Sequence, residues 1–324
     1  MDSFDVRIMR FNMKKIQVFI THWVNKHVVG LNDALIEQVT FLERVTDYPH
    51  ETTVVYWCPH GDNSIDEIFD RLPNGVRLVK NDRPGRPDIQ PSMRNKIIDL
   101  ADDYFVLLHN DIRISVGWLT SLVADLEYAE SIYNARCVMS PRFIPYHYIP
   151  GIIEFKYPEF SKLLESNVCV SSIDKMRQWC DQWKFKFENN MVYSLPPGSI
   201  HITDDGHQLM MFISSKKFFT GGDGVDGRID GIGYCDEKYV GWGYDDNDWG
   251  VTALMNGKKN LKSQTSLIGH IVSLTFGNPM VSVSLGNDNV FKNKWGDDIY
   301  NEMQTGQLWV RLHDKQKKLE GLKI

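Results

Sequence analysis

Tyr104-Phe105-Val106-Leu107-Leu108-His109-Asn110-Asp111 reads as a buried strand that stops on three polar residues. A carboxylate directly after such a strand is costly unless it caps, makes a turn or binds something. Turn-making and ligand binding both stay open for Asp111 at this point. Upstream, residues 16–21 (IQVFIT), 52–57 (TTVVYW) and 76–80 carry the same β-rich signature. Between them, residues 28–45 show helical spacing, with Leu31, Leu35, Val39 and Leu42 on one face, and Ile65, Ile68, Phe69 and Leu72 suit a short helix. A Pro/Gly loop (RPGRPDIQPS) leads into a helix over about 93–101, and Trp118 to Leu126 continues as another. Strands alternating with helices of this length predict βαβ units and a mainly parallel sheet flanked by helices, an α/β fold. In such sheets ligands bind beyond the carboxyl ends of the strands, which is where His22, His60, Asp62 and Asp111 fall.

Downstream the pattern loosens. Residues 128–207 are dense in aromatics and prolines and predict an elaboration packed beside the sheet, with a helix carrying Met176, Trp179, Cys180 and Trp183. A strand at 209–214 precedes the glycine-rich stretch 221–233. Next comes Gly241-Trp242-Gly243-Tyr244-Asp245-Asp246-Asn247-Asp248-Trp249, with three carboxylates in its last five residues at the start of an apolar-periodic segment. Helix capping accounts for one or two of these acids, because a helix N-terminus favours negative charge. Residues 266–275 predict a further strand containing His270, and the tail from Trp309 is basic and helical.

The 324 residues are 42% hydrophobic and 24% charged, an ordinary globular composition. The net charge of −6 argues against a surface that coats nucleic acid. Five dispersed cysteines without a CxxC or CxxxH pattern disfavour a zinc site or a disulfide framework and fit a reducing compartment. No apolar run approaches a membrane span and the first residues lack a signal-peptide core, so the expectation is a soluble, cytoplasmic protein. Gly221-Gly222-Asp223-Gly224-Val225-Asp226 starts like a calcium-binding nonapeptide but occurs once. The Asp245–Asp248 cluster lacks the spacing of an EF-hand, and there is neither a GxGxxG after the first strand nor a P-loop.

Three segments in order resemble the nucleotide-sugar-dependent glycosyltransferases of the GT-A fold, in particular the inverting family 2. They are Ser92-Met93-Arg94-Asn95-Lys96-Ile97-Ile98, the strand ending at His109-Asn110-Asp111, and the Gly241–Trp249 stretch followed by Gly257-Lys258-Lys259. The last is also similar to the signature of β-galactosyltransferases. The resemblance implies a GT-A, Rossmann-like domain over 14–280. Its nucleotide-binding half is 14–127, the insertion 128–207 and the acceptor half 208–280, between an N-terminal tail (1–13) and a C-terminal extension (281–324).

The same resemblance implies Asp111 as ligand of a divalent ion (Mn2+ or Mg2+), with His109 replacing the first acid of a DxD motif and His270 as a further metal ligand. It implies Asp246 as catalytic base and Asp245 and Trp242 as acceptor contacts. Trp242 and Trp249 both suit stacking on a sugar face, and either could equally be core. Thr21, His22, His60, Asp62, Arg94 and Asn110 would bind the donor, a nucleoside-diphosphate sugar such as a UDP-sugar. The expected acceptor is a glycan. The alternatives are 5-hydroxymethylated cytosine in DNA, in a phage- or virus-type enzyme, and a non-catalytic carbohydrate- or nucleotide-sugar-binding module.

Overall fold

The computed structural model describes residues 15–24, 31–58, 64–110, 112–114, 117–145, 202–203, 209–222, 231–240, 243–270 and 286–321. Strands β1 (Ile16–Trp23), β2 (His50–Trp57), β3 (Arg77–Lys80) and β4 (Tyr104–His109) alternate with helices α1 (Leu31–Val45), α2 (Ser64–Phe69) and α3 (Gln90–Leu100). Then follow β5 (Ile112–Ile114), α4 (Trp118–Tyr133), β6 (Cys137–Pro145), β7 (Ile202–Thr203) and β8 (Phe212–Ser215). The short α5 (Lys216–Thr220), α6 (Asp245–Met255), β9 (Lys259–His270), α7 (Asn287–Trp295), α8 (Asp297–Gln304) and α9 (Gln307–Gly321) complete the described chain.

The nine strands form one sheet in the order β3-β2-β1-β4-β8-β6-β9-β5, with β7 also on β9. β1 to β4 pair in parallel, and β8 runs against both β4 and β6. β6 and β9 are parallel, while β5 and β7 run against β9. Six strands therefore point one way and three the other, the mainly parallel sheet expected.

Strand alternation sorts the core into two layers. Ile16, Val18, Ile20, Val54, Val106 and Leu108 pack with Leu35, Val39, Leu119 and Leu122 of α1 and α4. Phe19, Val55, Phe105 and Leu107 pack with Met93, Ile97, Phe219 and Trp249 of α3, α5 and α6 on the opposite side. The second side continues outward, where Val251 and Leu254 of α6 join Phe291, Leu308, Trp309 and Leu312 of the C-terminal helices. Trp249, one of the two sugar-stacking candidates, is core. It is 1% exposed, meets the Phe212 ring edge-on at 5.7 Å and donates from Nε1 to the Gly233 carbonyl at 3.2 Å.

Three boundaries differ from the sequence reading. The first residues of the elaboration expected over 128–207 belong to the sheet framework: α4 runs on to Tyr133, and Cys137–Pro145 is a strand between β8 and β9. The strand expected at 266–275 begins at Lys259. Its first half, KNLKSQ, looks like a loop by composition, yet Lys259 Nζ lies 4.3 Å from the Tyr133 ring centroid. Ser263 and Thr265 hydroxyls donate to the buried Asp125 carboxylate at 2.5 and 2.7 Å. Third, α3 starts at Gln90, three residues early, with Pro91 in its first turn where its missing N–H costs nothing.

Candidate active site

The carboxyl ends of β1 and β4 lie side by side, with Thr21 opposite His109. Side chains there alternate between the two faces, so sequence neighbours separate. Thr21 and His109 share the α3 face, while His22 and Asn110 share the α1 face.

On the α1 face, His22 is 1% exposed and bonded at both ring nitrogens. Its Nε2 lies 3.0 Å from Asn32 Oδ1 and its Nδ1 lies 2.7 Å from Asn110 Nδ2. An amide oxygen only accepts and an amide nitrogen only donates, so the ring is the neutral Nε2–H tautomer. Burial pushes the His22 pKa down to about 4 against the Asn32 hydrogen bond, which keeps it uncharged at neutral pH. Gln38 of α1, also buried, braces the same corner: Nε2 donates to the His109 carbonyl at 2.8 Å and Oε1 accepts from Ile112 N at 3.3 Å. Gln38 thus ties the end of β4 to the start of β5.

The α3 face is charged. Arg94, 2% exposed, donates from Nη1 to Asp245 Oδ2 at 2.6 Å, and its Nη2 lies 3.3 Å from His109 Nε2. Arginine only donates, so His109 accepts at Nε2 and carries its proton on Nδ1. Burial works against the guanidinium charge, but Asp245 leads the neighbours that outweigh it and hold Arg94 above its ordinary value. Asp245 and Asp246 open α6, preceded by Tyr244 in the left-handed region (φ 71°). Burial and the adjacent Asp245 charge push the Asp246 pKa up to about 6, with Arg94 only partly opposing them. One acid of the pair is therefore matched by a buried cation, and its neighbour is the carboxylate that titrates near neutrality. Thr21, 3% exposed, accepts from Gln90 Nε2 at 2.8 Å. At the ends of β1 and β2, Trp23 and Trp57 are register partners and stack at 6.1 Å with 26° between planes. Trp57 packs on the α3 side of the core, and the buried Trp23 Nε1 has no hydrogen-bond partner.

Of the residues expected at the site, Arg94, Asp245 and Asp246 come together, with Thr21 nearby on the same face. His22 and Asn110 turn to the other face and bind each other. The segment Ser92-Met93-Arg94-Asn95 lies within α3 and offers no free helix N-terminus: Met93 N already bonds to the Ile89 carbonyl at 3.2 Å, and Ser92 and Asn95 are buried. Asn95 instead holds the neighbouring loop, accepting from Cys235 N at 2.7 Å and donating to the Cys235 carbonyl at 2.9 Å. His60, Asp62, Asp111 and Trp242 lie outside the described residues. His270 ends β9, where the backbone register sets it opposite Ile112, the residue after Asp111. Among the described residues no three His, Cys, Asp or Glu side chains are grouped as a metal site. Gln38 and Gln90 complete the site's hydrogen bonding but carry no role in the sequence reading; only their position after folding reveals them. His109, read as the replacement of a motif acid, instead lies against Arg94.

No protein family and no curated protein matches the sequence. Among solved structures, GalNAc-T7 with UDP, GalNAc and Mn2+ aligns over 93% of this chain and 55% of its own, with 15% identity and a TM-score of 0.52. S. aureus TarS in complex with UDP aligns over 80% of this chain and 61% of its own, with 14% identity and a TM-score of 0.40. The chain spans a little over half the length of each. At such identities it is the architecture that is shared: the chain has a GT-A-type fold, a mixed, mainly parallel sheet between helical layers with further helices at the C-terminal end.

Proposed function

We propose that the chain is an inverting glycosyltransferase that moves a sugar from a UDP-sugar to a hydroxyl of a glycan, with Asp246 as general base. The observation that carries this reading is the unequal acid pair on the α3 face. Asp245 is matched by Arg94, while Asp246 is held near a pKa of 6, close to the value a general base at neutral pH requires. Deprotonated Asp246 takes the proton of the acceptor hydroxyl as that oxygen bonds to the anomeric carbon. The bond from that carbon to the diphosphate oxygen breaks on the opposite side, and UDP leaves. Asp245 orients the acceptor, and Arg94 serves by holding Asp245 in place, since its own guanidinium is buried against that carboxylate. The Trp23–Trp57 step offers an aromatic surface to the nucleoside on the same face.

Asp111 and His270 would hold Mn2+ or Mg2+. The pairing of Ile112 with His270 supports this, and a carboxylate oxygen suits either ion while leaving positions for phosphate oxygens. When bound, the ion supplies positive charge to the departing diphosphate. GalNAc-T7, which shares the fold, was crystallised with UDP, GalNAc and Mn2+.

Thermal unfolding with nucleoside diphosphates, with and without Mn2+, tests the reading. UDP with Mn2+ is expected to raise the Tm, because a ligand at 100 times its Kd stabilises by about 2.7 kcal/mol. Turnover of UDP-glucose or UDP-galactose should rise through an acid limb near pH 6. Stabilisation without turnover of any nucleotide sugar would identify a binding module instead, and no response to any nucleoside diphosphate would remove the donor assignment.

A further inference from the structure

The helices after β9 lie outside the segments that resemble a glycosyltransferase, yet they grip the start of α6 at three points. Asn287, the first residue of α7 and 1% exposed, links Val240 to Gly243 ahead of the acids. Its Oδ1 accepts from Val240 N at 2.9 Å and its Nδ2 donates to the Gly243 carbonyl at 3.0 Å. Tyr244 comes next, a side-chain-bearing residue at φ 71°, a conformation that persists only where its surroundings over-determine it. α8 supplies those surroundings: Tyr300 stacks on the Tyr244 ring at 5.9 Å, and Gln304 Nε2 donates to its hydroxyl at 3.0 Å. Two residues beyond Asp246, the buried Asp248 receives Lys294 Nζ at 2.8 Å and Trp295 Nε1 at 2.5 Å from α7. The backbone is thus fixed immediately before Asp245 and immediately after Asp246 by residues 40 or more positions away in the chain.

We propose that α7 and α8 form a positioning frame for the acid pair, with Asn287 and Lys294 as positioning residues that set the angle at which Asp245 and Asp246 enter the crevice. The inference rests on the functional reading given above, because positioning has meaning only if those acids act. Arg94 of α3 holds the Asp245 carboxylate, and the frame holds the chain on either side of the acid pair, so the frame supplies the second fixed point that defines an orientation. Without it, α6 would keep its buried face on the core while its first turn gained freedom. A displacement of about 1 Å at a reacting group can cost on the order of 100-fold in rate.

The test compares wild type with Asn287→Ala and Lys294→Gln, the second removing the charge and shortening the side chain that reaches Asp248. The probe is whichever of UDP-glucose, UDP-galactose and UDP-N-acetylglucosamine the wild type hydrolyses fastest with Mn2+, followed by UDP release. Both variants are expected to lose about 10- to 100-fold in kcat with KM for the UDP-sugar changed less than about twofold. Hydrogen exchange at Val240 N and Asp248 N should accelerate while the β1 and β4 amides stay protected. A lowered Tm with unchanged kcat in both variants overturns the proposal and leaves the helices a purely stabilising role. If Asn287→Ala fails to fold, Lys294→Gln carries the kinetic test alone. If the wild type hydrolyses no UDP-sugar, the functional reading fails separately, and the exchange rates decide whether the frame holds the turn. Unchanged exchange in both variants overturns it.

Discussion

The two faces of the sheet at the ends of β1 and β4 use neighbouring residues to opposite ends. On the α1 face, His22, Asn32 and Asn110 satisfy one another with neutral groups, and burial keeps the imidazole uncharged. On the α3 face, Arg94 meets two adjacent carboxylates, so one negative charge is left over and Asp246 is pushed up to about 6. A closed neutral network is what a folded core tolerates. An unbalanced charged one costs stability and persists where chemistry needs it. The contrast separates the two faces: the α1 face ties the end of β4 to β5 with neutral groups, and the α3 face carries the charged groups on which the proposed function rests.

Mutation can break that contrast most strongly at Arg94. Arg94→Met removes the cation and strands Asp245, so urea denaturation at pH 7.5 should show a loss of about 3–5 kcal/mol, the usual cost of breaking a buried pair from one side. An effect below 1 kcal/mol would mean that water already compensates the carboxylates.

The second prediction concerns Asp246, and its sign runs the other way. Its folded pKa of about 6 lies above the ordinary 3.8, so the native state holds a proton that the unfolded chain has lost between those values. The protonated form favours folding at low pH, and that contribution is lost as pH rises through about 6. Asp246→Asn is therefore expected to be more stable than wild type by about 1–3 kcal/mol at pH 7.5, and the gain should vanish near pH 4. A variant that is less stable than wild type at pH 7.5 would contradict the strain assigned to this face.

His22 should give the opposite slope across an overlapping window. Its pKa is lowered from 6.5 to about 4, so its contribution is complete above pH 6.5 and is lost as pH falls through about 4. His22→Gln is expected to cost about 1–3 kcal/mol at pH 7.5 through the unpaired partners. Relative to wild type it should flatten the fall in Tm between pH 6.5 and 4; an unchanged acid limb would remove His22 as its source. Thr21→Val is the smallest effect, about 0.5–1.5 kcal/mol for the lost Gln90 hydrogen bond, with no change in pH dependence.

Much of the fold was legible in the chain. The first four strands and the helices between them announce themselves because apolar runs at the two periodicities are a local property, readable wherever packing follows pattern. β6 and the first half of β9 were not legible. Their residues are polar or embedded among aromatics, and they become strands through long-range partners such as Asp125 for Ser263. At the site, the acids opening α6 and the polar end of β4 could be found from residue type and spacing. Which of them face one another could not, because adjacent residues such as Thr21 and His22 differ only in the side of the sheet they take. Arg94 shows the same limit. A cation near a helix start suggests a phosphate ligand, and its burial against Asp245 is a contact that only the fold shows.

The most direct test is UDP release from a UDP-sugar with Mn2+, comparing wild type and Asp246→Asn as a function of pH. The predicted result is a wild-type acid limb near pH 6 and a loss of about 10²–10⁴-fold in kcat for the variant, with the limb abolished. Wild-type turnover that Asp246→Asn matches in rate and pH profile would contradict Asp246 as the base.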